Sequence, residues 1–146
     1  MRLAYPIEIR EMTAEEDGGW LVTFPDWNGA VTDGGDRDEA LTNAIDCLET
    51  MLDYCLRKGE DIPAPSPANG RPLVVPDADL AIKAALWRAF RDSGLSAERL
   101  AAHLDMSAAQ LGPRLFHPRA RPKPAVLTAA ASALGKRIMV ELADAA

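Results

Sequence analysis

Histidine and cysteine are scarce in this chain of 146 residues, which holds two of each. Neither His103 nor His117 stands at metal-ligand spacing from Cys47 or Cys55, so we expect no metal site and no cofactor. The cysteines lie eight positions apart in one predicted helix, about 12 Å between Cα atoms. That separation is too long for an intrachain disulfide. We interpret both as small apolar residues in a reducing compartment.

Long apolar runs are also missing. No run approaches the ~20 residues that a membrane-spanning helix needs, and the first six residues contain no apolar signal core. We therefore expect a cytoplasmic protein. The hydrophobic fraction of 48% and the charged fraction of 26% predict a packed fold and exclude a disordered chain.

Charge is divided unevenly along the chain. Residues 1–70 hold 15 Asp or Glu against 5 Lys or Arg, a net charge of −10, whereas residues 71–146 hold 7 against 11, a net of +4. An acidic surface attracts a basic protein, and a basic surface attracts phosphate. The division predicts two units with different partners. The change to a helical pattern at Asp79 places their boundary, so the predicted units are residues 1–78 and residues 79–146.

The first unit has the pattern of an α+β layer. Alternating or short apolar runs predict strands over residues 3–10, 20–24, 30–32 and 73–75. Between the last two lies a helix that begins at the cap Asp36 and ends at Gly59. Residues 62–70 carry three alternate prolines and are predicted to be extended. The apolar stripe of the helix consists of Leu41, Ala44, Ile45, Leu48, Leu52 and Cys55.

The second unit has a helical pattern. Helices are predicted over residues 80–93 and 97–104, from the cap Ser107 to Phe116, and over residues 125–134. Residues 137–142 alternate between apolar and polar side chains, which predicts a closing strand, with a helical continuation as the alternative.

Residues 96–116 resemble the helix-turn-helix of phage-repressor-type DNA-binding domains. The resemblance implies that the helix after Ser107 enters the major groove. Three of the usual base-reading positions are occupied by Ala108, Ala109 and Pro113, whose side chains cannot donate a hydrogen bond to a base edge. The predicted DNA-contacting residues are Ser107, Ala108, Gln110, Arg114, Arg119, Arg121 and Lys123. The alternative is a helical module for dimerisation.

The first unit resembles the HicB antitoxin family. The resemblance covers about residues 4–76 and rests on several segments in fixed order, which are Tyr5 to Ile9, Asp17 to Asp26, Gly29, Val31 to Thr32, Gly34, Glu39 to Leu41, Asn43 to Ala44 and Gly59 to Pro65. It implies a truncated RNase H-like fold without nuclease activity. It further implies binding to HicA, a small basic toxin that cleaves mRNA, and repression of the shared operon by the second unit.

The acidic charge of the first unit suits such a partner, because a protein that binds mRNA needs a positive surface. The predicted toxin-binding residues are Asp17, Trp20, Phe24, Asp26 and Trp27. For Trp20 and Phe24, which alternate on one strand face, core packing is the favoured interpretation, while Trp27 fits core and interface equally. Repressors of this type bind two half-sites, so we expect a homodimer or a higher even oligomer.

Two other functions remain as alternatives. One is a stand-alone DNA-binding regulator whose first unit senses a small molecule. The other is a nuclease with metal-binding carboxylates. Most of the candidate acids, however, stand in turns beside Gly or Pro or at a helix cap, which are ordinary structural roles. We therefore expect no catalytic residues and no enzyme activity.

Overall fold

The computed structural model describes residues 2–144, and the mixed α+β character predicted from the sequence is confirmed. The strands are β1 (Tyr5–Pro6), β2 (Glu8–Glu11), β3 (Trp20–Thr23), β4 (Val31–Gly34) and β5 (Leu73–Val74). The α-helices are α1 (Arg37–Lys58), α2 (Ala78–Ser93), α3 (Ala97–His103) and α4 (Pro124–Ala133). Within residues 2–144, no helix is both long enough and apolar enough to cross a bilayer.

The strands form two antiparallel sheets, β1-β5 and β2-β3-β4, that share one stretch of chain. Between β1 and β2, the amide of Ile7 donates to the carbonyl of Pro72 at 3.0 Å, whereas Met12 donates to Gly19 at 2.7 Å. Alternate amides of a strand point to opposite edges. Strands β5 and β3 therefore flank opposite edges of residues 5–11, and the single strand predicted over residues 3–10 is divided at Ile7.

Helix α1 begins and ends where the sequence predicts. The Asp36 carboxylate accepts from the amide of Glu39 at 2.8 Å, and Gly59 ends the helix in the left-handed conformation, with φ of 70°. The predicted apolar stripe is wrong at Ile45, whose side chain is 39% exposed. Helix α1 packs across β4, and its buried face extends instead to Ala40 and Leu56.

The proline-rich segment forms no helix, as predicted, but the extended conformation predicted over residues 62–70 is wrong at its end, where Asn69 and Gly70 form a turn with φ of 49° and 81°. Side chains of the first unit hold the segment in place. The Tyr5 hydroxyl donates to the carbonyl of Pro63 at 2.8 Å. The amide of Ser66 donates to the Asp26 carboxylate at 2.9 Å. Because proline lacks an amide hydrogen, these contacts replace the ladder bonds that the segment cannot form.

Helix α2 contributes to both hydrophobic clusters of the chain. Leu80 and Ala84 pack in the first cluster with the strands and α1. Leu86 and Ala89 pack in the second with α3, α4 and the turns between them. The predicted division at residue 78 falls at the first residue of this shared helix, and it stays a prediction.

The helix predicted from Ser107 to Phe116 is wrong as a regular α-helix. The chain forms a 3₁₀ turn over Ala108–Gln110 and then a π turn over Gly112–Phe116. Pro113 cannot donate a helical hydrogen bond, and its ring clashes with the carbonyl four residues earlier. The backbone therefore winds tighter before Pro113 and wider around it.

The closing strand predicted over residues 137–142 is also wrong, and so is its helical alternative. Residues 136–144 form no strand or helix. Helix α4 ends at Ala133, and Gly135 follows with φ of 68° in the left-handed region. Alternation alone cannot make a strand, because a strand requires a neighbour that satisfies its backbone groups.

Gly34 provides a test of the packing between α1 and β4. A Cβ atom at Gly34 would lie 2.3 Å from the amide nitrogen of Ala40, whereas one at Gly35 would meet only the end of the Glu39 side chain at 3.0 Å. We expect Gly34→Ala to lower the free energy of unfolding by about 3 kcal/mol, because the backbone of Ala40 cannot move aside to admit the added Cβ atom. Gly35→Ala is the matched control and should cost less than about 1 kcal/mol. Urea unfolding measures both, and equal losses would contradict this account.

Candidate protein and nucleic-acid interfaces

Carboxylates concentrate between α1 and α2. A groove of about 460 Å³ is lined by both helices and by the turn around residues 118–121. Its carboxylates are Asp46, Glu49, Asp53, Asp77 and Asp79. Glu49 also has a structural role, because it accepts from the amide of Asp77 at 2.8 Å and so joins α1 to the start of α2.

Two of the cations of the first unit are engaged in ion pairs. Arg10 donates twice to the Glu16 carboxylate, at 3.1 and 2.8 Å. The hydrogen bond from Arg10 holds the pKa of Glu16 down at about 2, so Glu16 stays ionised. Arg57 pairs with Asp53 one helical turn earlier. Apart from these pairs, the charged surface of the first unit is dominated by carboxylates, as the sequence predicts.

Two of the three aromatic residues predicted to contact a partner are core residues. Phe24 and Trp27 are buried in the first cluster, where the Trp27 ring lies 5.5 Å from the Tyr5 ring. Trp20 packs against the same cluster and is half-buried. Packing accounts for Phe24 and Trp27 without any partner, and of the three Trp20 has the most side chain at the surface.

The two predicted acidic contacts differ in their surroundings. Asp17 is exposed and adopts the left-handed conformation, with φ of 73°, immediately after a short 3₁₀ turn. Asp26 accepts from the amide of Ser66 in the proline-rich segment. Asp17 is therefore presented to solvent, while Asp26 is already engaged.

The turn that follows α3 contains a residue in the left-handed conformation. Asp105 has φ of 52°, and the amide of Met106 donates back to Ala101 at 3.0 Å. At the other end of α3, the Ser96 side chain accepts from the amide of Arg99 at 3.2 Å. These two local interactions fix the length of α3 and reverse the chain toward Ser107.

The predicted base-reading positions lie on the irregular turns after Ser107. The amide of Ser107 donates to the side-chain oxygen of Gln110 at 2.9 Å, so that oxygen caps the turn. Ala108 is half-buried, and Arg114 is exposed on the π turn. Ser107 and Arg114 are thus presented to solvent, but without the spacing of a regular helix.

A buried lysine holds the basic turn against α2. The Lys83 ammonium donates to Asp79 at 2.9 Å and to the carbonyls of Pro118 and Ala120 at 2.9 and 2.5 Å. Its side chain is completely buried, and these three acceptors replace its water shell. No sequence prediction included Lys83, although its position four residues after Asp79 is the spacing of an ion pair on a helix.

The predicted phosphate contacts are not equivalent. Arg121 donates to Asp79 at 3.3 Å and to the carbonyls of Pro118 and Ala120 at 3.0 and 2.9 Å. The side chains of Arg119 and Lys123 are exposed and form no ion pair within residues 2–144. The structure thus brings all three cations to one turn and leaves two of them open to a ligand.

Both cysteines are free thiols, and burial raises the pKa of each. Raised pKa values make thiols poor nucleophiles at neutral pH. Within residues 2–144, no group of three or more His, Cys, Asp or Glu side chains could hold a metal ion.

Comparison with known proteins adds an independent finding. A family model described as HicB-like antitoxin of bacterial toxin–antitoxin systems matches residues 4–85. Antitoxin HicB 1 of Photorhabdus laumondii subsp. laumondii is 31% identical over 140 residues, which cover 96% of this chain and 87% of that protein. Antitoxin HicB of Escherichia coli strain K12 is 33% identical over 138 residues, with 93% and 96% covered.

Lys83 provides a test of how the basic turn is held. We expect Lys83→Met to lower the free energy of unfolding by about 2–4 kcal/mol, because the carbonyls of Pro118 and Ala120 lose a buried donor. Lys58→Met, at the exposed end of α1, is the control and should cost less than about 1 kcal/mol. Urea unfolding followed by tryptophan fluorescence measures both. Similar losses would show that the Lys83 contacts contribute no more than a surface charge.

Proposed function

Since this chain belongs to the HicB-like antitoxin family of bacterial toxin–antitoxin systems, we propose that it binds and neutralises a small basic HicA-type toxin that cleaves mRNA. We further propose that it acts in the cytoplasm, as a homodimer or higher even oligomer, and represses its own operon through residues 79–146. These residues would form a helix-turn-helix unit, and residues 1–78 a truncated RNase H-like unit.

One observation carries the toxin-binding part, namely the acidic surface of the first unit, where Arg10 and Arg57 are paired with carboxylates. A toxin that grips RNA presents cations, so opposite potentials would speed the encounter. Asp17 and Trp20 are the predicted contacts best placed to touch it. An aromatic ring with part of its surface exposed is suited to anchor an interface.

The repression part is supported by the exposed basic turn. Arg119 and Lys123 are open to solvent and can contact phosphates, which position a protein on DNA without reading bases. Arg121 already donates to three acceptors, so we assign it mainly to holding the turn. Base reading falls to Ser107, Gln110 and Arg114 among the predicted residues, with Ala108 able only to touch a thymine methyl group.

The two alternatives lack a supporting observation. The matched relatives are antitoxins by name, which does not favour a stand-alone regulator that senses a small molecule. Relatives of this kind are generally not enzymes. Asp26 and Asp36 have structural partners, as acceptors for backbone amides, so catalysis is not proposed.

Asp17 provides a test of toxin binding with a matched control. Asp17 and Asp105 are both exposed and both left-handed, and asparagine tolerates that conformation. We expect Asp17→Asn to slow association with the HicA-type toxin about two- to threefold at low salt, and Asp105→Asn to leave the rate unchanged. Stopped-flow association measures the rates, alongside inhibition of RNA cleavage by the toxin. Failure of the unaltered chain to inhibit cleavage would overturn the proposal.

The basic turn provides a test of DNA binding. We expect Arg119→Gln with Lys123→Gln to reduce the slope of log affinity against log salt by about 2, since each phosphate contact contributes about 1. Arg121→Gln should change the slope by less than about 1. Fluorescence anisotropy with a duplex from the chain's own promoter measures the slopes. The double variant should bind toxin normally, and an unchanged slope would contradict the phosphate assignment.

A further inference from the structure

Trp87 lies where the two hydrophobic clusters meet. Among residues 2–144 it is the one side chain that packs against both the first and the second cluster. Its indole nitrogen donates to the carbonyl of Glu60 at 2.9 Å, in the segment that follows α1. Helix α2 therefore contacts the first unit well beyond its own start, at a residue far past the predicted boundary at position 78.

Two neighbouring arginines of α2 contact the same segment. The Arg88 guanidinium donates to the carbonyl of Ile62. The Arg91 guanidinium donates to the Asp61 carboxylate at 2.9 Å and lies 5.6 Å from the centre of the Trp87 ring, where a cation is attracted to the aromatic face. Each residue of the 60–62 segment is thus held by a different side chain of α2, and a shift of the segment along the helix would break all of these contacts together.

The Trp87 ring also contacts the second unit. It meets the Phe116 ring edge to face, with the ring centres 5.1 Å apart, and the Phe90 ring stacks on Phe116 at 5.6 Å. Phe116 is buried and is the last residue of the π turn. Aromatic pairs in these arrangements attract one another beyond the area that they bury. Trp87 therefore connects the 60–62 segment with the turn that carries Arg114.

We propose that Trp87 is a positioning residue, which locks the π turn to the 60–62 segment so that the two units tumble as one body. Burial of apolar surface is non-directional, so the packing of α2 alone would let the units rock about the helix. Hydrogen bonds have preferred angles and lengths. The donors on Trp87, Arg88 and Arg91 therefore select one orientation.

The inference rests on the proposed function for its purpose only. Residues 1–70 carry a net charge of −10, and DNA bound at the second unit would repel them. A first unit that could rock would bring its carboxylates to the basic turn, in competition with phosphate. A fixed orientation holds this charge at one place relative to Arg119 and Lys123.

Relaxation of backbone amides tests the lock in the full chain. We expect β2, β3 and β4 to share one rotational correlation time with α3 and α4. The double variant Trp87→Phe with Arg91→Met removes two donors to the 60–62 segment but keeps an aromatic ring in place, and it should split the correlation times by at least about 1.3-fold. Arg99→Met, at an exposed position of α3, is the matched control and should leave one time. Two times in the unaltered chain, or one in the double variant, would overturn the inference.

Hydrogen exchange separates positioning from packing. The amide of Glu60 donates to the carbonyl of Cys55 at 3.0 Å and so reports on the 60–62 segment. We expect Trp87→Phe to speed its exchange about fivefold and to leave amides of β3 and α4 unchanged, because the ring still packs. Unchanged exchange at Glu60, or equal acceleration throughout the chain, would assign Trp87 to packing alone and overturn the inference. Neither measurement uses toxin or DNA, so failure of the proposed function would not be mistaken for this one.

Discussion

Burial of apolar surface on helix α2 underlies both halves of this protein. Leu80 and Ala84 complete the cluster formed with the strands and α1, and Leu86 and Ala89 complete the cluster formed with α3 and α4. The same helix provides the Lys83 ammonium that holds the basic turn. Helix α2 therefore joins the two clusters, and the proposed toxin-binding and DNA-binding units share this helix.

Acidic and basic side chains occupy different parts of the surface around α2. Carboxylates of α1 and of the start of α2 line a groove that Arg121 also lines, and Asp79 accepts from both Lys83 and Arg121. Desolvation makes an unpaired buried charge very costly, so the complete burial of Lys83 is tolerated only because of Asp79 and two carbonyls. Arg119 and Lys123 are the cations of the basic turn that form no ion pair within residues 2–144. Acidic and basic surfaces thus meet at one ion cluster and can serve different partners.

Irregular winding after Ser107 bears on how the proposed second unit could bind DNA. A 3₁₀ turn followed by a π turn changes the angular spacing of side chains, so Gln110 and Arg114 do not project as they would from a regular helix. The side-chain oxygen of Gln110 is engaged by the amide of Ser107. Such a surface is better equipped to contact phosphates than to read several bases, and dimerisation would add the geometry that one copy lacks.

Local patterns in the sequence determined the mixed α+β composition and the division of charge. They also determined the limits of α1, from Asp36 to Gly59, and the left-handed turn at Asp105. Caps, turns and net charge depend on neighbouring residues, so they can be deduced from the sequence. Pro113, within the segment after Ser107, also disfavours a regular helix there, because proline cannot donate a helical hydrogen bond. Only the tertiary structure decided that Ile7 divides the first strand, that Phe24 and Trp27 are core, and that Lys83 is buried. It also left residues 137–142 without a strand to pair with. Those outcomes depend on which distant groups come together, and the period of a pattern carries no information about its partner.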